Sequence, residues 1–493
     1  MTIPAPASVG RADWRPGAIV GLGSFGVLGV IVPTVVLAQG VGSEASTLLT
    51  LVLVWAALRL SVLAARGTAQ LYWLALLMFV YVFFGLAGNL QVRTLTEPDT
   101  TPGLVPAAVL TAARLIAVSI VFIELGRRLA AARSTRRTGG TAVRVAGSSR
   151  ILDGDRLRRV VPLALVGCVL IILRVGPSNY LGSRDRLSLA TTAAWGNPTI
   201  AALANGLALA LPLVTLHALV RHRRAVRAAG GQVPFTPHLI LTAALLAFMV
   251  NISSSARISF GTVVISTIVL LGAADTPARV RAFVPTIVGA FVLVFPLADV
   301  FRREATGLTL RAPEFDSLRT SGDFDSFAQL ANTITYVTAQ GVTAGNQLLG
   351  VVFFWVPRSV WASKPVDTGV LVGEFRGYRF TNLSAPVWAE AYINFGTLGV
   401  CAALLALGYA VRRADDRYIA LGSSAATFTS LQGAILPFYG IIVLRGSLLQ
   451  AVGAAAALLA VMTWVTARRP APETDGTSVR RRREVRRGPT GTR

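Results

Sequence analysis

The residues in this sequence best suited to chemistry are carboxylates and cations set beside long apolar runs. In Trp388-Ala389-Glu390-Ala391-Tyr392-Ile393-Asn394, Glu390 and Asn394 are four apart and share one helical face. A carboxylate at a membrane boundary is costly unless it is paired or useful. Glu390 therefore reads either as an interfacial group facing water or as part of a polar cavity shared with Arg358 and Lys364. Upstream, Ser321-Gly322-Asp323-Phe324-Asp325-Ser326-Phe327 leads into a helical pattern through Leu330, Ile334 and Val337. Asp323 or Asp325 caps that helix, and Asp325 is also a candidate proton acceptor.

The cations form a second set. Lys364 is the only lysine in an arginine-rich chain, and it follows Arg358 closely. Arg184-Asp185-Arg186 lies in the segment 176–198, which is expected as a long outward loop. Arg257 follows Asn251 and Ser253-Ser254-Ser255. Arginine forks bind phosphate oxygens in pairs and lysine supplies a point charge, so such a group suits a phosphate or pyrophosphate. Anchoring of helix ends is the rival reading for each of them.

Other chemistries lack their residues. Cys168 and Cys401 lie within apolar runs and read as small core residues. His217, His222 and His238 sit at one set of helix ends, leaving no histidine base or histidine metal site at the other. No Walker A or dinucleotide fingerprint occurs. No cofactor and no metal are expected.

The elements that position these residues are membrane helices. Of 493 residues, 53% are hydrophobic and 14% are charged, against roughly 25% charged in soluble chains. Mean hydropathy is +0.62. The runs 18–38, 45–65, 71–90 and 448–467 are each long enough to cross a hydrocarbon core of about 30 Å. Further spans are expected at 105–125, 160–175, 200–220, 239–252, 258–273, 283–300, 387–411 and 419–444, three of them short. The expected fold is an all-α integral membrane protein, a polytopic bundle of about twelve transmembrane helices. No cleavage site follows Arg11 and Arg15, so the first span is expected to stay as an anchor.

The net charge of +24 is carried by alternate loops. Arginines cluster from Arg127 to Arg159, from Arg221 to Arg227, at Arg279 and Arg281, from Arg412 to Arg417, and after position 467. The positive-inside rule makes that side cytoplasmic, with both termini there, in the cytoplasmic membrane. The arginines read as topology signals and contacts to anionic membrane lipid; no nucleic-acid partner is needed. Residues 1–467 form the transmembrane domain, and 468–493 a basic disordered cytoplasmic tail. The large extracytoplasmic loop runs from about 302 to 386. Within it, 348–361 is apolar, broken by Pro357 and Arg358, and too short to span, so it reads as a re-entrant or interfacial segment.

These elements carry a family likeness. Phe324-Asp325, the approach from Gly345 to Gly350, Val356-Pro357-Arg358-Ser359-Val360-Trp361 with Lys364-Pro365, and Glu390-Ala391-Tyr392-Ile393-Asn394-Phe395-Gly396 with Gly399 together resemble the Wzy-type polymerases of oligosaccharide repeat units. These are the O-antigen and exopolysaccharide polymerases. Outside 324–399 only the hydropathy pattern corresponds. The resemblance implies a metal-independent glycosyltransferase on the outer face of the cytoplasmic membrane. Donor and acceptor would both be oligosaccharides on undecaprenyl pyrophosphate, with a flippase and a chain-length regulator as partners. Related ligases often use an outer-face histidine, which this chain lacks.

On that reading Arg184, Arg186, Arg257, Arg358 and Lys364, with Asn394 beside them, bind the substrate and hold the departing pyrophosphate. Glu390 or Asp325 takes the proton of the attacking sugar hydroxyl, and Glu390 is preferred because it is expected to be partly buried. The alternative function is a lipid-linked oligosaccharide transporter or flippase.

Overall fold

The computed structural model describes residues 14–94, 103–136, 150–297, 316–380, 383–422 and 425–468. The chain runs through α1 (Pro16–Val36), α2 (Glu44–Arg66), α3 (Leu71–Thr94), α4 (Pro106–Arg133), α5 (Gly154–Val175), α6 (Arg184–Trp195), α7 (Ile200–Ala228) and α8 (Thr236–Met249). It continues through α9 (Arg257–Ala273), α10 (Pro277–Leu297), α11 (Ser326–Gln340), α12 (Asn346–Val352), α13 (Thr368–Arg376), α14 (Val387–Leu421), α15 (Phe428–Arg445) and α16 (Leu448–Val465).

Among the described residues, eight helices are long and apolar enough to cross a membrane: α1 to α4, α7 and α14 to α16. Large apolar side chains on their outer faces stay uncovered, as at Leu22 (76% exposed) and Val121 (64%). Water would not tolerate so broad an apolar surface, and lipid requires it. The chain is therefore a membrane-embedded helical protein. The expected count of about twelve spans is not reached by these eight. The other four expected spans are helices too: α5 carries Arg156, Arg158, Arg159 and Arg174, α8 and α9 are short, and α10 begins with Arg279 and Arg281. Boundaries also differ. The span expected at 387–411 runs on to Leu421, and the next begins at Phe428 rather than 419.

Helix ends gather at two faces of the bundle. At one, Asp415 of α14 accepts the backbone N–H groups of Tyr72 (2.9 Å) and Trp73 (3.1 Å). Arg127 lies over the Trp73 ring at 3.5 Å, and Arg224 donates to Leu270 O at 2.6 Å. A short antiparallel pair, Arg150–Leu152 with Thr466–Arg468, closes the same face. At the other, Ser46 donates to Asn89 at 2.9 Å and Gln91 to Phe324 O at 3.1 Å.

Two apolar cores share α15. Ala434, Phe438 and Ile441 face the core of α2, α3, α4, α10, α11 and α14. Leu431, Ile435 and Tyr439 face the core of α5, α7, α8 and α16. This three-and-four spacing is how one helix serves two sides. Glycine allows the closest crossing: a Cβ on Gly126 would strike Leu405 O, and one on Gly408 would strike Ile123 O. The backbones of α4 and α14 therefore meet directly.

The segment 302–386, expected as a large extracytoplasmic loop, contains helices among its described residues. Residues 302–315 lie outside the described residues. The described remainder includes α11, α12 and α13 joined by irregular segments, and α11 enters the core, with Phe327 and Leu330 fully buried. Its apolar face required burial that a solvated loop would not give. Segment 176–198, also expected as a loop, contains α6, started by Ser183 accepting from Arg186 N (3.3 Å) and ended by Gly196 in a left-handed conformation. The residues before Trp14, and the tail 469–493 that is expected to be disordered, lie outside the described residues.

Candidate functional site

The site grows from a short turn. Helix α15 ends at Arg445, and Gly446-Ser447 lead directly into α16. Arg445 donates to Asp323 O at 2.7 Å, to Gly322 O at 2.8 Å and to the Asp325 carboxylate at 3.3 Å. It thereby clamps the turn 322–325. Ser321 starts that turn by accepting from Asp323 N at 3.3 Å. Phe324 fixes it by packing into the core against Phe83, with ring centroids 5.6 Å apart.

Asp325 stands at the first position before α11 but makes no capping bond with its side chain. Its carboxylate turns the other way and accepts from Ser384 N at 3.2 Å. Asp323 likewise does not cap α11; its carboxylate lies 3.2 Å from Arg257 Nη1. Burial pushes the Asp325 carboxyl above the ordinary carboxylate range, and Arg445 opposes that shift without cancelling it.

Arg257 opens α9. The turn before it is organised by Asn251, whose Oδ1 accepts from Ser253 N (3.1 Å) and Ser254 N (3.0 Å). Asn251 Nδ2 reaches across to Tyr180 O at 2.9 Å, tying this turn to the segment that leads into α6. These elements enclose a cavity of about 820 Å³, within the usual range for small-molecule sites of about 300–1,000 Å³. Arg184, Asp185, Arg257, Asp323, Asp325 and Arg445 all line it. Asn205, Ser384, Ser447 and Gln450 add neutral polar groups. Gly206 lets α7 approach α16 here; a Cβ on it would sit 2.8 Å from Ala454 Cα.

The guanidinium and carboxylate charges in the cavity balance formally. The N-terminus of α9, where Ala256 offers no side-chain cap, adds a partial positive charge that favours anions.

The remaining sequence candidates lie elsewhere. Glu390 is buried behind the cavity wall. It accepts Leu448 N at 3.0 Å and the Thr368 hydroxyl at 2.9 Å, so it caps α16 from a neighbouring helix. Asn394 donates to Glu390 O at 2.8 Å and accepts from Leu348 N at 3.3 Å. Arg358 donates to Lys364 O (2.6 Å) and Pro365 O (3.1 Å), while Lys364 donates to Phe354 O (2.7 Å) and Val356 O (2.9 Å). Burial, then Arg358, lowers the Lys364 pKa. Arg186 is exposed and bonded to Asn179 at 2.9 Å. The structure thus brings Arg184, Arg257 and Asp325 together and leaves Glu390, Asn394, Arg358, Lys364 and Arg186 outside the cavity lining.

Sequence reasoning misses Arg445. The signal is present: it is the only charged residue in the whole stretch 418–467, beside a turn between two spans. Among the described residues no cluster of His, Cys, Asp and Glu could hold a metal ion. Compared with family models, curated proteins and solved structures, the chain matches none.

Proposed function

We propose that this protein is a polysaccharide polymerase of the cytoplasmic membrane. It joins oligosaccharide repeat units carried on undecaprenyl pyrophosphate, in the cavity between α6, α7, α9 and the α15–α16 turn. The observation that carries the reading is the meeting of Arg184, Arg257 and Arg445 with Asp323 and Asp325 in one cavity at a helix-end face. The opposite face holds the arginine clusters, which under the positive-inside rule puts the cavity outside the cell. On this reading α5, α8, α9 and α10 cross as well, making about twelve spans with both termini inside.

The reaction needs little beyond these groups. A hydroxyl of the acceptor repeat unit attacks the anomeric carbon of the donor glycan. The bond from that carbon to the pyrophosphate oxygen breaks, and the electron pair leaves with the lipid pyrophosphate. Arg184 and Arg257 stabilise the charge that builds there. Asp325 accepts the hydroxyl proton in place of Glu390, because it borders the cavity and Glu390 does not, and its raised pKa suits a proton acceptor. Arg445 holds the turn that carries it.

The test is deletion of the gene, followed by sizing of surface glycan and extraction of lipid-linked intermediates. Loss of long polymer with single repeat units on the outer leaflet supports the polymerase. Repeat units trapped in the inner leaflet would instead assign the chain to the transporters.

A further inference from the structure

The segment that begins with α12 leaves a row of large apolar side chains uncovered. Leu349, Val352, Phe353, Trp355 and Val360 are all exposed, Val360 by 78%. The row is continuous with a membrane-spanning helix. Thr343 N donates to Ile393 O at 2.8 Å, and Leu348 N donates to Asn394 at 3.3 Å, so α12 is fastened to the first turns of α14. On α14 itself Phe395 and Leu398 are exposed, Leu398 by 82%. A break at Phe395 and Gly396, where Gly396 adopts φ +62°, turns the helix at this point.

The backbone after α12 is irregular, and in lipid an irregular backbone must find its partners within the protein. The two cations supply them. Lys364 takes the carbonyls of Phe354 and Val356, and Arg358 takes those of Lys364 and Pro365. Among residues 346–361 Arg358 is the only charged side chain, and both of its bonds point back into the loop. A water-exposed loop needs neither arrangement, since water would satisfy the carbonyls and penalise the apolar row.

We infer that residues 346–361 are a platform sunk among the acyl chains of the bilayer beside α14, and that Arg358 and Lys364 serve to satisfy its backbone there. The occupant of this face is lipid. The inference rests on the membrane-embedded fold and is independent of the polymerase reading.

The test uses the full chain in lipid nanodiscs, with Cys168 and Cys401 replaced by Ala. Nitroxide labels are placed at Val352→Cys and Trp355→Cys, with Leu398→Cys as the lipid reference and Ser363→Cys as the water reference. Power saturation then compares collisions with oxygen and with a water-soluble nickel chelate. The expected result at 352 and 355 is oxygen access matching 398 and nickel access several-fold below 363. Nickel access equal to 363 would overturn the inference in favour of water. Low access to both reagents would overturn it in favour of a protein partner. In a second variant, Lys364→Met, the label at 355 should gain nickel access while the protein still purifies as a monodisperse species. No change in that variant would remove the role assigned to Lys364.

Discussion

The cavity and the α12–α14 junction hold the same kinds of residue and use them in opposite ways. In the cavity, Arg257 meets a carboxylate, and Arg445 a carboxylate and backbone carbonyls, on a surface that stays open. At the junction, Arg358, Lys364, Glu390 and Asn394 are consumed by backbone groups. Helix α14 repeats the second pattern at its far end, where Asp415 caps α3 as Glu390 caps α16. A buried ionisable residue in a membrane protein is thus not by itself a reacting group. An unhydrated helix end or loop needs one as much as a substrate does.

The sharpest way to break this comparison is to remove the cavity carboxylate. Asp325→Asn should lower polymer formation by about 10²–10⁴-fold, the usual contribution of a positioned base, as read from glycan length at matched protein level. Next, Arg184→Ala and Arg257→Ala should each cost about 10²–10³-fold in turnover, as loss of one charge-stabilising donor does. Lipid-linked repeat units should accumulate in both variants.

The pH profile follows from Asp325. Its carboxyl sits above the ordinary range, so the proton-accepting form is lost as pH falls through that raised value. Activity of the reconstituted protein should therefore drop on acidification at a midpoint above about 3.9, the unperturbed carboxylate value. The Asp325→Asn variant should lack that inflection. At the junction the effect should be on stability. Glu390→Gln keeps a partner for Thr368 and weakens the cap on α16, costing about 1–3 kcal/mol, visible as a lower melting temperature with polymer of full length. Smallest of all, Arg186→Ala should shift stability by no more than about 0.5 kcal/mol and leave glycan length unchanged, since that side chain is exposed and outside the cavity lining.

Much of this architecture is legible in the amino-acid sequence. Apolar runs mark the spans, because in lipid only a helix satisfies so many backbone groups. Arg184, Arg257 and Asp325 stand out as charged neighbours of apolar runs, and the fold gathers all three around one cavity. What the sequence does not reveal is direction. Glu390 and Asn394 share one face of one helix, and they do touch through Asn394 Nδ2 and Glu390 O. Whether that face meets a cavity or the N-terminus of α16 depends on contacts made dozens of residues away. The burial of α11 is hidden for the same reason: its apolar positions Phe327, Leu330 and Ile334 are as compatible with a lipid surface as with a core. Arg445 escapes notice because a lone arginine at a helix end resembles a topology signal.

The most direct test of the account places the purified protein in liposomes with undecaprenyl-pyrophosphate-linked repeat units and compares the wild type with Asp325→Asn and Glu390→Gln. The account predicts long glycan from the wild type and from Glu390→Gln, and single repeat units alone from Asp325→Asn. Long glycan from Asp325→Asn together with none from a folded Glu390→Gln would contradict it and move the chemistry from the cavity to the junction.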